Sequence, residues 1–314
     1  MAARLIDGTA IAAEIRERAR PEVDAFTQAV GRPPGLALVL VGELAASEIY
    51  VRGKLRAAAD LGIWGDLQRL PSTAAVDELL ALVDRLNRSE RHDGILVQVP
   101  LPEAMGAAGA HRVFEAIDPA KDVDGFSPVN VGRLVQGRAA LAPCTPSGII
   151  EMLERSEIPV RGRRAVVIGR SDIVGKPLAL MLLHRDATVT ICHSKTDDLP
   201  ALAASADILV AAIGRPGFVT PTFVKPGATV IDVGINRVTD RAQAEALFGA
   251  GSPRLDVLAR RGSIVVGDVH PAVAEIAGAL TPVPGGVGPL TIAMLVVNTL
   301  RAAHARRASA ASRS

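Results

Sequence analysis

RAVVIGRSDIVGKP, residues 164 to 177, runs from an apolar strand through a glycine turn into a helix. Ala165 to Ile168 form the strand core, Gly169 and Gly175 supply the turn, and Pro177 suits the first turn of the helix that follows. A strand that ends this way aims backbone amides and the positive end of a helix at an anion, as the first βα turn of a dinucleotide-binding unit does. The spacing is not the usual GxGxxG, and the same glycines could serve only to make a tight turn. The next strand, ATVTICH at 187 to 193, adds information. In an NAD site it should end with an acid for the ribose diol, but here it is followed by Ser194, Lys195 and Thr196. With no carboxylate there and Arg170 inside the preceding turn, a 2′-phosphate suits the pocket better than a hydroxyl, so NADP is the expected cofactor.

Working outward, apolar runs bounded by Gly or Pro recur at 35–42, 94–100, 206–214, 228–234 and 262–269, with helical patterns such as Ala45 to Leu61 and Val76 to Leu86 between them. Continuous apolar strands alternating with helices predict an α/β chain with parallel sheets covered on both faces. The Gly-, Ala- and Pro-rich segment GRAALAPCTPSG marks a boundary. The expected division is a substrate (catalytic) domain over 1–145 and a Rossmann-like, doubly wound NADP domain over 146–280. A helix over 288–306, amphipathic from Leu290 to His304, is expected to return to the first domain. Residues 307–314 have little to bury and are expected to be disordered.

The bulk properties exclude more than they assign. At 314 residues, two cores are expected. A net charge of +2 supplies no field that would select nucleic acid or a membrane. Two cysteines cannot build a disulfide framework and fit a reducing compartment, so a cytoplasmic setting is expected. Asp7, Glu14 and Glu17 interrupt what would be the apolar part of a signal peptide, and no apolar run approaches the ~20 residues of a membrane span.

The chemistry sits earlier in the chain. Tyr50 is the only tyrosine, and Lys54 lies one helical turn beyond it, on the same face. Short-chain dehydrogenases also carry a Tyr/Lys pair at this spacing, but after the cofactor turn. Here it precedes that turn by more than a hundred residues, which argues for a separate substrate domain. The turns Gly214–Gly217 and Gly234–Asn236 fall at carboxyl ends of strands, where main-chain groups could hold a nicotinamide carboxamide.

Seven ordered motifs, YVRGK at 50–54, DGILVQVPLP at 93–102, KDVDGF at 121–126, PCTP at 143–146, GRSDIVGKP at 169–177, HSKT at 193–196 and TPVPGGVGP at 281–289, closely resemble the bifunctional methylenetetrahydrofolate dehydrogenase/cyclohydrolase family, FolD. The resemblance implies that Lys54 is the central catalytic group, that Tyr50 stacks beside the folate, that Gln98 adjusts Lys54 and that Asp124 anchors the pterin. It also implies that Gly169, Arg170, Ser171, Ser194 and Ile235 hold NADP, and that Pro282, Gly285 and Gly286 lie at the folate side. No metal is expected, and the resemblance implies a homodimer acting on tetrahydrofolate derivatives. Two departures stand out: His270 within GDVHP replaces what relatives commonly show, and Asp172 brings a negative charge into the phosphate turn. A two-domain dehydrogenase acting on shikimate or an amino acid, and a non-catalytic nucleotide-binding module, are the alternatives.

Overall fold

The computed structural model describes residues 3–138 and 141–311. In chain order the elements are β1 (Arg4–Leu5), α1 (Gly8–Val30), β2 (Gly35–Val41), α2 (Ala45–Asp60), β3 (Trp64–Leu70), α3 (Val76–Arg88), β4 (Gly94–Val97), α4 (Gly106–Ala116), α5 (Pro128–Val135) and α6 (Cys144–Arg155). There follow β5 (Arg164–Ile168), α7 (Gly175–Leu183), β6 (Thr188–Cys192), α8 (Leu199–Ala203), β7 (Ile208–Ala211), β8 (Thr229–Asp232), β9 (Asn236–Val238), α9 (Arg241–Phe248), α10 (Pro253–Arg261), β10 (Ile264–Val266), β11 (Ala279–Leu280) and α11 (Val287–Ala311). Two compact units result. One comprises Ala12–Cys144 with the chain from Thr291 onward, the other the chain up to Ile11 with Thr145–Leu290.

The first unit is built on a parallel sheet ordered β3-β2-β4. β2 is buried along its whole length, as its unbroken GLALVLV demands. Leu79, Leu82, Val83 and Leu86 of α3 share a core with Ala37, Val39, Ile95 and Val97. The end of α3 is closed by Lys121, whose buried Nζ donates to the carbonyls of Leu86 (2.9 Å), Asn87 (2.6 Å) and Ser89 (2.7 Å). Burial, reinforced by the nearby Arg306 charge, lowers this ammonium to about 8. The strand WGDLQRL has no apolar run and is not expected from the sequence. It forms because β2 offers its free edge, and it stays only half-buried there.

The second unit holds a six-stranded parallel sheet ordered β1-β11-β8-β7-β5-β6. Successive residues of a strand face opposite sides, so the complete burial of β7 and β8 means that both faces of the sheet are covered. This is the expected doubly wound, Rossmann-like architecture.

Three expectations change. The segment 262–269 contains a strand, but β10 pairs antiparallel with β9 in a separate ribbon rather than joining the parallel sheet. Residues 3–11 group with the second unit, because β1 adds to that sheet beside β11. The chain end expected to be disordered is helical to Ala311, since an Ala-rich stretch carries its own helix propensity; residues 312–314 lie outside the described residues. From Thr291 onward α11 belongs to the first unit, as expected for its return. Among the described residues no helix is long and apolar enough to cross a membrane.

Candidate active site

In the second unit the chain leaves β5 for β6 on one side and returns to β7 on the other, so the strand order reverses between β5 and β7. Ligands of such sheets sit beyond the carboxyl ends of the strands at that reversal. Gly169 closes β5 there, with φ +128°. A Cβ on it would lie 2.2 Å from the carbonyl oxygen of Ala212, at the end of β7, so only glycine lets the two strand ends approach. Ser171 shapes the turn, its Oγ accepting from the amides of Val174 (3.2 Å) and Gly175 (3.3 Å) at the start of α7. Those two helix amides are therefore already engaged by the protein itself. Arg170 is exposed and has no carboxylate partner among the described residues, and Ser194 and Lys195 are exposed beyond neighbouring β6. Asp172 is paired with Lys176, so the negative charge noted in the sequence is offset locally. The bare glycine cradle, an uncommitted guanidinium and a lysine and serine on the adjacent strand end fit a phosphorylated dinucleotide.

The turns after β7 and β8 are tied together by a carboxylate that the sequence reading did not single out. Asp268, fully buried, accepts from the amides of Ile213 (2.7 Å), Gly214 (2.9 Å) and Arg215 (2.8 Å) and from Asn236 Nδ2 (2.9 Å). Asp232, at the end of β8, accepts in turn from the amides of Gly234 (3.0 Å), Asp268 (2.8 Å) and Val269 (3.0 Å). Burial, with the Asp268 charge adding to it, raises the Asp232 carboxyl to about 7. Each acid occupies the space a side chain would need. A Cβ at Gly234 would lie 2.4 Å from Asp268 Oδ1, and one at Gly267 1.8 Å from Asp232 Oδ2. Ile235, between Gly234 and Asn236, is 51% exposed. His270, the departure in GDVHP, caps the following helical turn by accepting from the amide of Ala272 (3.2 Å).

The Pro282–Gly286 loop is backed by the first turn of α1. The amide of Thr9 donates to the carbonyl of Gly285 (3.1 Å), while a Cβ on Gly8 would lie 1.8 Å from the carbonyl oxygen of Gly286. Asp7 caps the same turn, accepting from the amides of Thr9 and Ala10.

In the first unit, Lys54 on α2 and Gln98 just past β4 are both 8% exposed, and Lys54 Nζ donates to Gln98 Oε1 at 2.9 Å. Gln98 is itself fixed, its Nε2 donating to the carbonyl of Val99 (2.7 Å) and its amide to the carbonyl of Val39 (2.8 Å). The carboxyl of Asp124 is raised to about 6, chiefly by desolvation, with the Lys54 charge opposing and Asp122 assisting. Tyr50 is 39% exposed, and burial of part of the ring pushes its hydroxyl up, so it stays a neutral phenol with a free face.

The loop carrying Asp124 is held on both sides. Before it stands the Lys121 cap; after it, Asp122 accepts from the amide of Ser127 (2.8 Å) and from Asn130 Nδ2 (3.0 Å). Asn298 of α11 donates to the carbonyls of Val123 and Ala142, both at 2.9 Å, and the buried Cys144 thiol also donates to Val123 (3.3 Å). The sequence reading missed Asn298, Lys121 and Asp122 as supports; a buried amide in the middle of an apolar helix face was the one available signal.

A doubly wound dinucleotide unit joined to a second α/β unit bearing a buried lysine–glutamine pair beside a desolvated acid defines a class of two-unit, nicotinamide-dependent enzymes. Family matches narrow this. The NAD(P)-binding domain of tetrahydrofolate dehydrogenase/cyclohydrolase matches residues 143–307, and the catalytic domain of the same family matches residues 6–124. Proteins called bifunctional protein FolD from Koribacter versatilis and Solibacter usitatus are 57% and 54% identical, covering 98% and 96% of this chain and 99% and 98% of their own. Among solved structures, the bifunctional FolD of Campylobacter jejuni superposes with a TM-score of 0.86 at 39% identity, over 97% of this chain and 100% of its own. The FolD of Trypanosoma brucei, solved with NADP cofactor and an inhibitor, gives 0.86 at 38% identity, over 98% and 99%. The chain belongs to the tetrahydrofolate dehydrogenase/cyclohydrolase family.

Proposed function

We propose that the protein oxidises 5,10-methylenetetrahydrofolate to the 5,10-methenyl compound with NADP, and hydrolyses that product to 10-formyltetrahydrofolate. The observation that carries this reading is the Lys54–Gln98 pair with Asp124 in the field of the same lysine. Gly169, Arg170, Ser171, Ser194 and Ile235 would hold NADP, which when bound would supply the hydride acceptor. Ionised Asp124 accepts from two adjacent N–H groups of the pterin, which one carboxylate can span. Tyr50 offers its ring face to the folate, and the family resemblance counts Pro282, Gly285 and Gly286 among the folate-binding residues. In the hydrolytic step water adds to the methenyl carbon and gives one proton to Lys54 Nζ, which acts here as the neutral amine. The Lys54 ammonium so formed then protonates N5 as the bond from that carbon to N5 breaks, and the remaining hydroxyl proton leaves to solvent as the formyl C=O forms. Gln98 keeps Nζ aimed through this exchange, its own amide being anchored to Val99. An absorbance assay with methylenetetrahydrofolate and NADP, following reduced cofactor and methenyl product together, tests the reading. NADP reduction with shikimate or an amino acid, and none with methylenetetrahydrofolate, overturns it.

Two outcomes follow from the site. Because the Asp124 carboxyl is raised to about 6, it is ionised at pH 8 and mostly protonated at pH 5. Folate affinity therefore falls as pH drops through that value, approaching about tenfold per pH unit below it, whereas Asp124→Asn binds weakly with a flat profile; titration calorimetry across pH 5–8 reads this. Arg170→Ala raises KM for NADP about tenfold, the cost of one charge-assisted contact at an exposed position, and leaves KM for NAD unchanged. Equal effects on the two nucleotides would remove Arg170 from the 2′-phosphate.

The setting we infer is a cytoplasmic homodimer that binds neither nucleic acid nor membrane. Two buried, unpaired cysteines, a near-neutral charge and the family resemblance support it. Light scattering at about twice 32.6 kDa is the expected result.

A further inference from the structure

We propose that Asp268 is a positioning residue for the nicotinamide nucleotide, setting the shape of the two strand-end turns that receive it without touching it. The inference rests on the NADP reading above and extends it to a group buried away from solvent.

Three consecutive backbone amides, those of Ile213, Gly214 and Arg215, converge on this carboxylate. Amides pointing the same way from three successive residues have no partner in a regular strand or helix, so the turn keeps its form only while an acceptor with two oxygens sits inside it. That turn ends β7, beside Gly169 at the reversal of strand order. The same carboxylate controls the turn after β8. It lies against Gly234, where a Cβ would be 2.4 Å from Oδ1, and it takes the Asn236 side chain at 2.9 Å. Ile235 stands between these two contacts and is half exposed, so its direction is set by its neighbours rather than by packing of its own. Asp232 holds Asp268 in place through its amide. All these contacts lie in one unit, and none involves Arg170 or Ser194. The effect should therefore fall on the part of the cofactor that NADP and NAD have in common.

Asp268→Asn replaces one acceptor oxygen with a donor that faces amide N–H groups. Asn236→Ala is milder and removes one of the four donors. Titration calorimetry with NADP and with NAD, in the absence of folate, should show Kd rising about tenfold for Asp268→Asn and about threefold for Asn236→Ala, by the same factor for both nucleotides. Hydrolysis of methenyltetrahydrofolate without NADP should stay within about twofold of the unsubstituted protein. Nucleotide affinity unchanged in either folded variant overturns the proposal. So does a fall in hydrolysis matching the loss of nucleotide affinity, which marks a merely structural role. If Asp268→Asn does not fold, Asn236→Ala decides alone. If the unsubstituted protein binds neither nucleotide, the underlying NADP reading fails instead.

Discussion

Lys54→Met abolishes hydrolysis of the methenyl substrate, with a loss of about a thousandfold or more, while folate and NADP still bind. General acid–base groups contribute roughly a hundred- to ten-thousandfold, and Lys54 is the amine that both bonds Gln98 and acts on Asp124 among the described residues. Methionine has nearly the length of lysine and suits a site that is 8% exposed, so packing survives and the loss reports chemistry. Two side effects have known signs. Gln98 Oε1 loses its donor, a cost of about 1–3 kcal/mol that loosens the amide. Asp124 loses the positive charge that opposes its desolvation, so its carboxyl rises further above about 6 and folate affinity at neutral pH weakens. Binding is therefore best measured at pH 8, with hydrolysis followed by the decay of methenyl absorbance. Turnover near that of the unsubstituted protein would remove Lys54 from the reaction.

Gly169→Ala should cost both the cofactor and part of the stability. At φ +128° an alanine is strained, and its Cβ would meet a backbone oxygen at 2.2 Å, an atom with no rotamer to escape into. Either β5 and β7 separate at their ends or the turn rebuilds, and both outcomes spoil the seat of the phosphates. The expected destabilisation is about 2–4 kcal/mol, a fall of roughly 5–12 °C in Tm for a unit of this size. NADP affinity should drop by about a hundredfold or more, read by calorimetry at a temperature where the variant is folded. An alanine variant with unaltered Tm and Kd would show that the close approach at Ala212 is not needed.

The sequence made the glycine turn, the buried strands and the α/β class legible because each depends on contiguous residues. GLALVLV and RAVVI are apolar without interruption, which is what a strand covered on both faces requires. β3 was hidden because it is a polar edge strand, and β1 and β11 because two residues make no pattern. β10 was visible as a strand, but its partner was not, since pairing is a property of two segments. Lys54, Gln98 and Asp124 were accessible through motif resemblance and chemistry together, and Lys54 and Gln98 meet across 44 residues. Asp268 and Asp232 were not. An acid after a glycine reads as a turn former, and only the fold carries Asp268 to amides 53 to 55 residues away.

Gly234 and Gly267 each leave room for a carboxylate rather than for an unusual backbone angle. Their replacement is thus governed by what the opposing acid does, and each glycine is coupled to its acid as an epistatic pair. Neutral drift could admit a methyl group at one member only after the other had shortened, and the intermediate would have lost the amide contacts on the way. Two such pairs interlocked through the main chain of residue 268 make this corner of the protein resistant to stepwise change, whatever the surface around it accumulates.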